Sequence, residues 1–310
     1  MPSRNQIILG ATLLLFLSSS PQSVPAQDVP SDYQQVLQLL NRQGDFKANV
    51  LKINIPRNDV QVVVDGVATP TAFGFGGWLA MTKGDGGQDV MMGDLVLLES
   101  EVNPVLSALI DNGIEVTAVH NHFFRDSPHM FYMHVMAHGG AMDLARKVKP
   151  AVDLLGHSAA GAASPATLQP GKIDTAKIAK IVGNEGEQNG SVYKITVGRD
   201  DLGLKDMGAT INARMGLNSW AAFVGSDDKA AAAGDIAMVD SEVQPVLRAL
   251  RKNNLDVVAI HHHMIGTNPQ IIFLHYWGIG PTDQLAAGFR AALDQLGKGK
   301  ASTPAAMILH

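Results

Sequence analysis

The sequence has 310 residues, 46% of them hydrophobic, and a formal net charge of −5. That length supports two ordinary domains with a sizeable core. There is no basic run or aromatic-and-basic stripe, which argues against nucleic-acid binding. The absence of cysteine excludes disulfides, thiolate metal sites and the lipid anchor of a bacterial lipoprotein.

Residues 1–26 read as a signal peptide. Arg4 supplies a positive n-region, and the apolar run Ile7 to Leu17 is too short to span a membrane. Val24-Pro25-Ala26 places small residues at the usual cleavage positions. Cleavage there leaves 310 − 26 = 284 residues. It predicts an exported protein, periplasmic or extracellular, with no transmembrane segment in the mature chain.

The rest of the chain is a tandem duplication. Gly93–Gly139 aligned without gaps on Gly234–Gly280 gives 18 identities in 47 positions, against roughly 3 by chance. The match extends upstream with one residue of slippage: Asp32 to Asp174, Arg57 to Arg199, Asp59 to Asp201 and Trp78 to Trp220. The expected units are 32–156 and 174–298, joined by a linker at 157–173 rich in Ala, Ser, Gly and Pro.

Each unit is expected to be α+β: an antiparallel-rich sheet with flanking helices and a histidine-bearing hairpin. In the first unit a helix is expected near 32–42, with Val36, Leu39 and Leu40 as its apolar stripe. Strands follow near 47–55, 60–66, 76–82 and 89–98. A second helix begins at Ser100 as N-cap and stops at Asn112-Gly113. The hairpin covers 115–137 and a third helix 140–155.

The hairpin carries the strongest chemical signal. His120 and His122 lie two apart in a strand-like run, and His134 follows twelve residues after His122. His261, His263 and His275 repeat the spacing. Side chains two apart on a strand share a face. Folding the hairpin at Pro128, midway between 122 and 134, would set His122 opposite His134; Pro269 holds the same position in the second copy. Three converging imidazoles could hold a transition metal in each repeat, leaving a coordination position open. Zinc is the first candidate, with copper, nickel and iron also suited to imidazole. The extra His262 makes the second unit the richer one.

Glu101 and Glu242 repeat as well. They could act as a fourth ligand or as a general base on metal-bound water, or occupy the first turn of a helix, where a carboxylate suits the dipole. Asp94 and Asp235 follow a glycine and read as turn-closing residues more readily than as ligands. The Arg57–Asp59 and Arg199–Asp201 pairs read as structural, and Trp78 and Trp220 as core.

Gly93-Asp94-Leu95-Val96-Leu97, Glu101-Val102-Asn103-Pro104-Val105, Val116 to His122 and Tyr132-Met133-His134-Val135 resemble the LppY/LpqO family of bacterial exported proteins. So do Ser219 to Phe223 and Phe273 to Gly278. The resemblance implies export and duplication, and carries no established activity. The leading expectation is therefore an exported metal-binding protein, with metal-dependent hydrolysis as its catalytic form. The competing readings are a non-catalytic module for a small-molecule or cell-envelope ligand, and a scaffold in which the histidine faces are buried between the units.

Overall fold

Period-two alternation along the strands sorts side chains onto two faces, and here each face acquires a different partner. The computed structural model describes residues 28–157, 166 and 171–298. The expected signal peptide and most of the linker lie outside the described residues.

The first unit runs α1 (Ser31–Leu40), β1 (Gly44–Lys47), β2 (Val50–Pro56), β3 (Val62–Val64), β4 (Val67–Thr69), β5 (Gly76–Lys83), β6 (Asp89–Leu98), α2 (Glu99–Asp111), β7 (Glu115–His120), β8 (Asp126–Ser127), β9 (Met130–Gly139) and α3 (Ala141–Asp153). The second runs α4 (Thr175–Val182), β10 (Glu187–Asn189), β11 (Val192–Gly198), β12 (Lys205–Asp206), β13 (Ala209–Thr210), β14 (Asn218–Gly225), β15 (Ala230–Met238), α5 (Asp240–Lys252), β16 (Asp256–His261), β17 (Ile272–Gly280) and α6 (Thr282–Leu293). The architecture is α+β, with two repeated units. Each builds a six-stranded antiparallel sheet, in the orders β1-β2-β5-β6-β9-β7 and β10-β11-β14-β15-β17-β16.

The outer face of each sheet packs on helices. In the first unit Leu51, Ile53, Leu79, Met81, Leu95, Leu97, Met133 and Val135 meet Val36 and Leu40 of α1, Val105 and Leu109 of α2, and Leu144 and Val148 of α3. Ile195, Phe223, Ile236, Leu274 and Tyr276 do the same in the second unit against Ile178, Val246, Leu250 and Phe289. Burying each such side chain contributes about 1.5–3 kcal/mol.

The inner faces pack on each other. Val96, Phe73, Phe75, Phe123 and Tyr132 share one cluster with Ala222, Val224, Ala231 and Trp277. Val50, Ala80, Val90 and Met136 share another with Leu217, Ala237 and Phe273. The result is four layers, helices–sheet–sheet–helices, related by the duplication. Polar contacts reinforce the join: Thr117 Oγ1 donates to the His263 carbonyl at 2.6 Å, and Arg214 pairs with Asp45 at 2.9 Å.

Two local expectations are corrected. The N-cap of α2 is Leu98, not Ser100. The hairpin does not fold tightly at Pro128. β7 ends at His120 and pairs in a register that sets Ala118, not His122, opposite His134, with a bulge following between Val116 and Ala118. The intervening chain detours because Asp126 and Ser127 pair with Val64 and Val63 of β3. The second unit repeats the bulge, with Ala259 opposite His275. Among the described residues no helix is long and apolar enough to cross a membrane.

Candidate metal centre

The histidines expected to form two separate triads meet in one cluster between the sheets. His120 and His261 end β7 and β16, the equivalent edge strands of the two sheets. His134 and His275 sit inside β9 and β17. His122 and His263 follow just beyond the ends of β7 and β16. The observed register differs from the expected one by 122 − 118 = 4 residues, an even number, so all six stay on inner faces and the face assignment survives the register error.

The closest histidine–histidine ring contacts run between repeats. His120 stacks on His261 with centroids 3.8 Å apart, His134 on His263 at 3.8 Å, and His122 lies 3.6 Å from His275. The Nε2 atoms of His120 and His275 are 3.1 Å apart. Aromatic walls close the ends: Tyr132 stacks on His122 at 3.3 Å, and Phe273, its counterpart, on His263 at 3.5 Å. The side chain of His262 belongs to none of the groups of converging ligand atoms.

Two carboxylates border the cluster, and one of them, Asp235, joins a group of converging ligand atoms. Asp94 and Asp235 were expected to close turns. Instead they stand mid-strand, directly opposite His134 and His275 in the ladders. Asp94 Oδ1 is 3.8 Å from His134 Nδ1; Asp235 Oδ2 is 3.5 Å from His263 Nε2, and its Oδ1 is 3.8 Å from His275 Nδ1. The preceding glycine is what allows this. A Cβ at Gly234 would collide with the Trp220 carbonyl oxygen and the Tyr276 ring, so glycine lets the neighbouring strands close on β15, and the ladder runs unbroken through Asp235. The sequence did hold a signal for them: an acid repeated at equivalent positions inside an apolar alternating run.

Most polar atoms here have no partner in the protein. Both nitrogens of His122 and one each of His120, His134, His261, His263 and His275 are buried without a hydrogen bond, as is Oδ1 of both Asp94 and Asp235. Leaving one such group unsatisfied costs about 1–3 kcal/mol, so a cluster of them calls for a common partner. Ligand atoms lie within 4.8 Å of one another in three overlapping groups: Asp235, His261, His263 and His275; His120, His122 and His275; and His120, His134 and His261. Each of the last two draws on both repeats. Metal bonds of about 2.0–2.2 Å need neighbouring donors about 3–3.5 Å apart; the Nε2 atoms of His120 and His275 stand at 3.1 Å, and the other donors, within 4.8 Å of one another in their groups, would draw together on an ion.

The electrostatics suit a cation. Burial lowers the titration of His120 to about 2 and of His261 to about 4, and holds the other four well below the ordinary histidine range. The imidazoles are therefore neutral, the form that ligates metal. Burial pushes the Asp94 carboxyl up to about 8, and that of Asp235 well above its ordinary value, with Asp94 adding repulsion.

Glu101 and Glu242 lie elsewhere and belong to none of these groups. Arg57, only 2% exposed, grips Glu101 through Nη1 at 2.6 Å and Asp59 through Nε at 2.9 Å. The Glu101 carboxylate also accepts the N–H groups of Leu98 and Gly156. Arg199, Glu242, Val239 and Gly297 reproduce the arrangement. Both glutamates thus act as structural clamps, rather than as the bases considered from sequence.

No curated protein matches the chain. Solved structures similar to it include EtuB from Clostridium kluyveri (10% identity, covering 79% of this chain and 86% of that one, TM-score 0.19) and the trimeric bacterial microcompartment shell protein PduB (12% identity, 80% and 90% covered, TM-score 0.21). Residues 34–154 and 176–295, one stretch in each repeat, both match a single family. The chain belongs to the family described as Domain of Unknown Function (DUF1259), which it contains twice.

Proposed function

We propose that this protein binds a transition metal in a centre shared by its two repeats, with His120, His122, His134, His261, His263 and His275 as the ligand pool and Asp94 and Asp235 supplying charge. The observation behind this reading is the set of buried, partnerless imidazole nitrogens converging from both sheets. Zinc is the first candidate, because neutral imidazole with carboxylate suits it. Hydrolysis would need a base beside the ion, and Glu101 and Glu242 are held by arginine. The apolar run at residues 7–17 and the LppY/LpqO resemblance support an exported protein as part of the same proposal.

The competing reading treats the histidines as packing between units, and their burial favours it. However, only the Nε2 atoms of His120 and His275 come within hydrogen-bond reach of each other among the six rings, and His120 and His261 keep partial exposure. Elemental mass spectrometry on chain purified without chelator or tag histidines separates the two. Metal should be present, and the triple alanine variant of either repeat should lose nearly all of it, because each repeat supplies ligands to the other. No metal in the wild type after reloading would leave packing as the role of the histidines.

A further inference from the structure

The two ends of the histidine centre carry different chemistry, although the duplication relates them. Beyond His122 the inner faces close with aromatic rings: Trp277 meets Phe73 edge-on at 6.0 Å and Phe123 at 5.5 Å. Beyond His263 the equivalents of those three rings are all methionines. Phe73 is replaced by Met215, Phe123 by Met264 and Trp277 by Met136, while Met92 stands where the second repeat has Ala233. The four methionines are 0–4% exposed and share one buried cluster with Phe273, whose ring stacks on His263.

The backbone sets these side chains against the centre. Met92 and Met136 stand opposite each other in the ladder between β6 and β9, two residues along from the Asp94–His134 pair. Side chains two apart on a strand share a face, so both lie on the face that carries His134. Diagonal neighbours across a ladder sit about 7–8 Å apart, within reach of long side chains. Met264 directly follows His263. Met215 precedes Gly216, whose backbone runs beside the same ring: a Cβ at Gly216 would lie 3.6 Å from His263 Nδ1.

A flexible thioether fills irregular gaps in a core, and that accounts for a single methionine. Four of them gathered at one end of a cluster of unpartnered imidazoles add a donor type that the other end lacks. Thioether sulfur is a soft donor and selects monovalent copper, an ion that imidazole also suits. On nitrogen and oxygen donors alone zinc comes first; sulfur beside them favours copper. A singly charged ion also costs less to bury than a doubly charged one among neutral imidazoles.

We infer that the centre takes copper in its monovalent state, with thioether sulfur from the Met92, Met136, Met215 and Met264 cluster joining the imidazoles on the side of His134 and His263. This rests on the shared metal centre proposed above and adds to it the identity of the ion and a further donor.

Competition titrations on the metal-stripped chain test it, with zinc and with ascorbate-reduced copper measured against a chromogenic copper(I) chelator. Copper should displace zinc at equal concentration. X-ray absorption at the copper edge should show sulfur scattering, which only methionine can supply because the chain has no cysteine. Met92→Leu, Met136→Leu, Met215→Leu and Met264→Leu together nearly preserve core volume. They should weaken copper(I) binding at least tenfold and leave zinc affinity within about twofold. Nitrogen and oxygen scattering alone, wild-type copper affinity in the quadruple variant, or zinc held in preference to copper would each overturn the inference and leave the metal reading standing. Binding of neither metal by the wild type would overturn both. If circular dichroism shows the quadruple variant unfolded, the sulfur signal of the wild type decides: its presence supports the inference and its absence overturns it.

Discussion

At the scale of single residues, the histidines and aspartates pull stability in opposite directions with pH. A histidine held neutral by burial takes up a proton more readily when unfolded. Its contribution is therefore present above about 6.5 and lost as pH falls, down to about 4 for His261 and about 2 for His120. Asp94 has the opposite sign: its raised value means stability is lost as pH rises from the ordinary carboxylate range through about 8. The histidines outnumber the two acids, so they dominate below pH 6.5, and the acids dominate between there and 8. The metal-stripped chain should be most stable near pH 6.5. Asp94→Asn should flatten the fall on the alkaline side, stabilising the stripped form at pH 8 by about 1–3 kcal/mol while weakening metal binding. Thermal unfolding against pH with both proteins checks this; equal stability from pH 4 to 8 in the wild type would contradict the burial argument.

At the scale of elements, the buried arginine clamps fix how the helices meet the sheets. Arg57 also donates to the Val96 carbonyl at 2.8 Å, so one guanidinium joins the end of β6, the first turn of α2 and, through Glu101, the chain leaving α3 at Gly156. Glu101→Gln keeps the shape but leaves Arg57 buried with only the more exposed Asp59 to neutralise it. It should cost about 3–5 kcal/mol in chemical denaturation and leave metal content unchanged; loss of metal at full stability would return Glu101 to the site. This clamp also shows what the sequence could reveal. The strands and helices were legible because their alternation and apolar stripes are local. A serine before Glu101 suggested a cap, and the glutamate does accept the N–H of Leu98. Its arginine partner, 44 residues away, left no local trace. The hairpin register was hidden for a related reason: the bulge at Thr117 and the pairing of Asp126 with Val64 depend on β3 and on the other repeat. Face membership, which needs only parity, was readable for all six histidines.

At the scale of the whole molecule, the duplication and the site are one fact. Each sheet buries its outer face on its own helices, but its inner face has only the other sheet. Phe73, Phe75, Val96, Phe123 and Tyr132 of the first unit are 0–1% exposed in part because Trp277, Ala222 and Ala231 of the second cover them. A single unit would present this apolar surface and three unpartnered histidines to water, a patch of the kind that drives association. Residues 28–157 expressed alone should therefore self-associate. The repeat relation makes a two-fold dimer the natural outcome, because the inner face already meets its own homologue in the full chain. Such a dimer would place two copies of His120, His122 and His134 against each other and should recover metal binding, with both properties lost together on dilution. Sedimentation velocity with metal analysis on the fractions decides it. A folded monomer that keeps its metal would mean that one triad suffices, and that the meeting of six histidines between the sheets is packing rather than a shared centre.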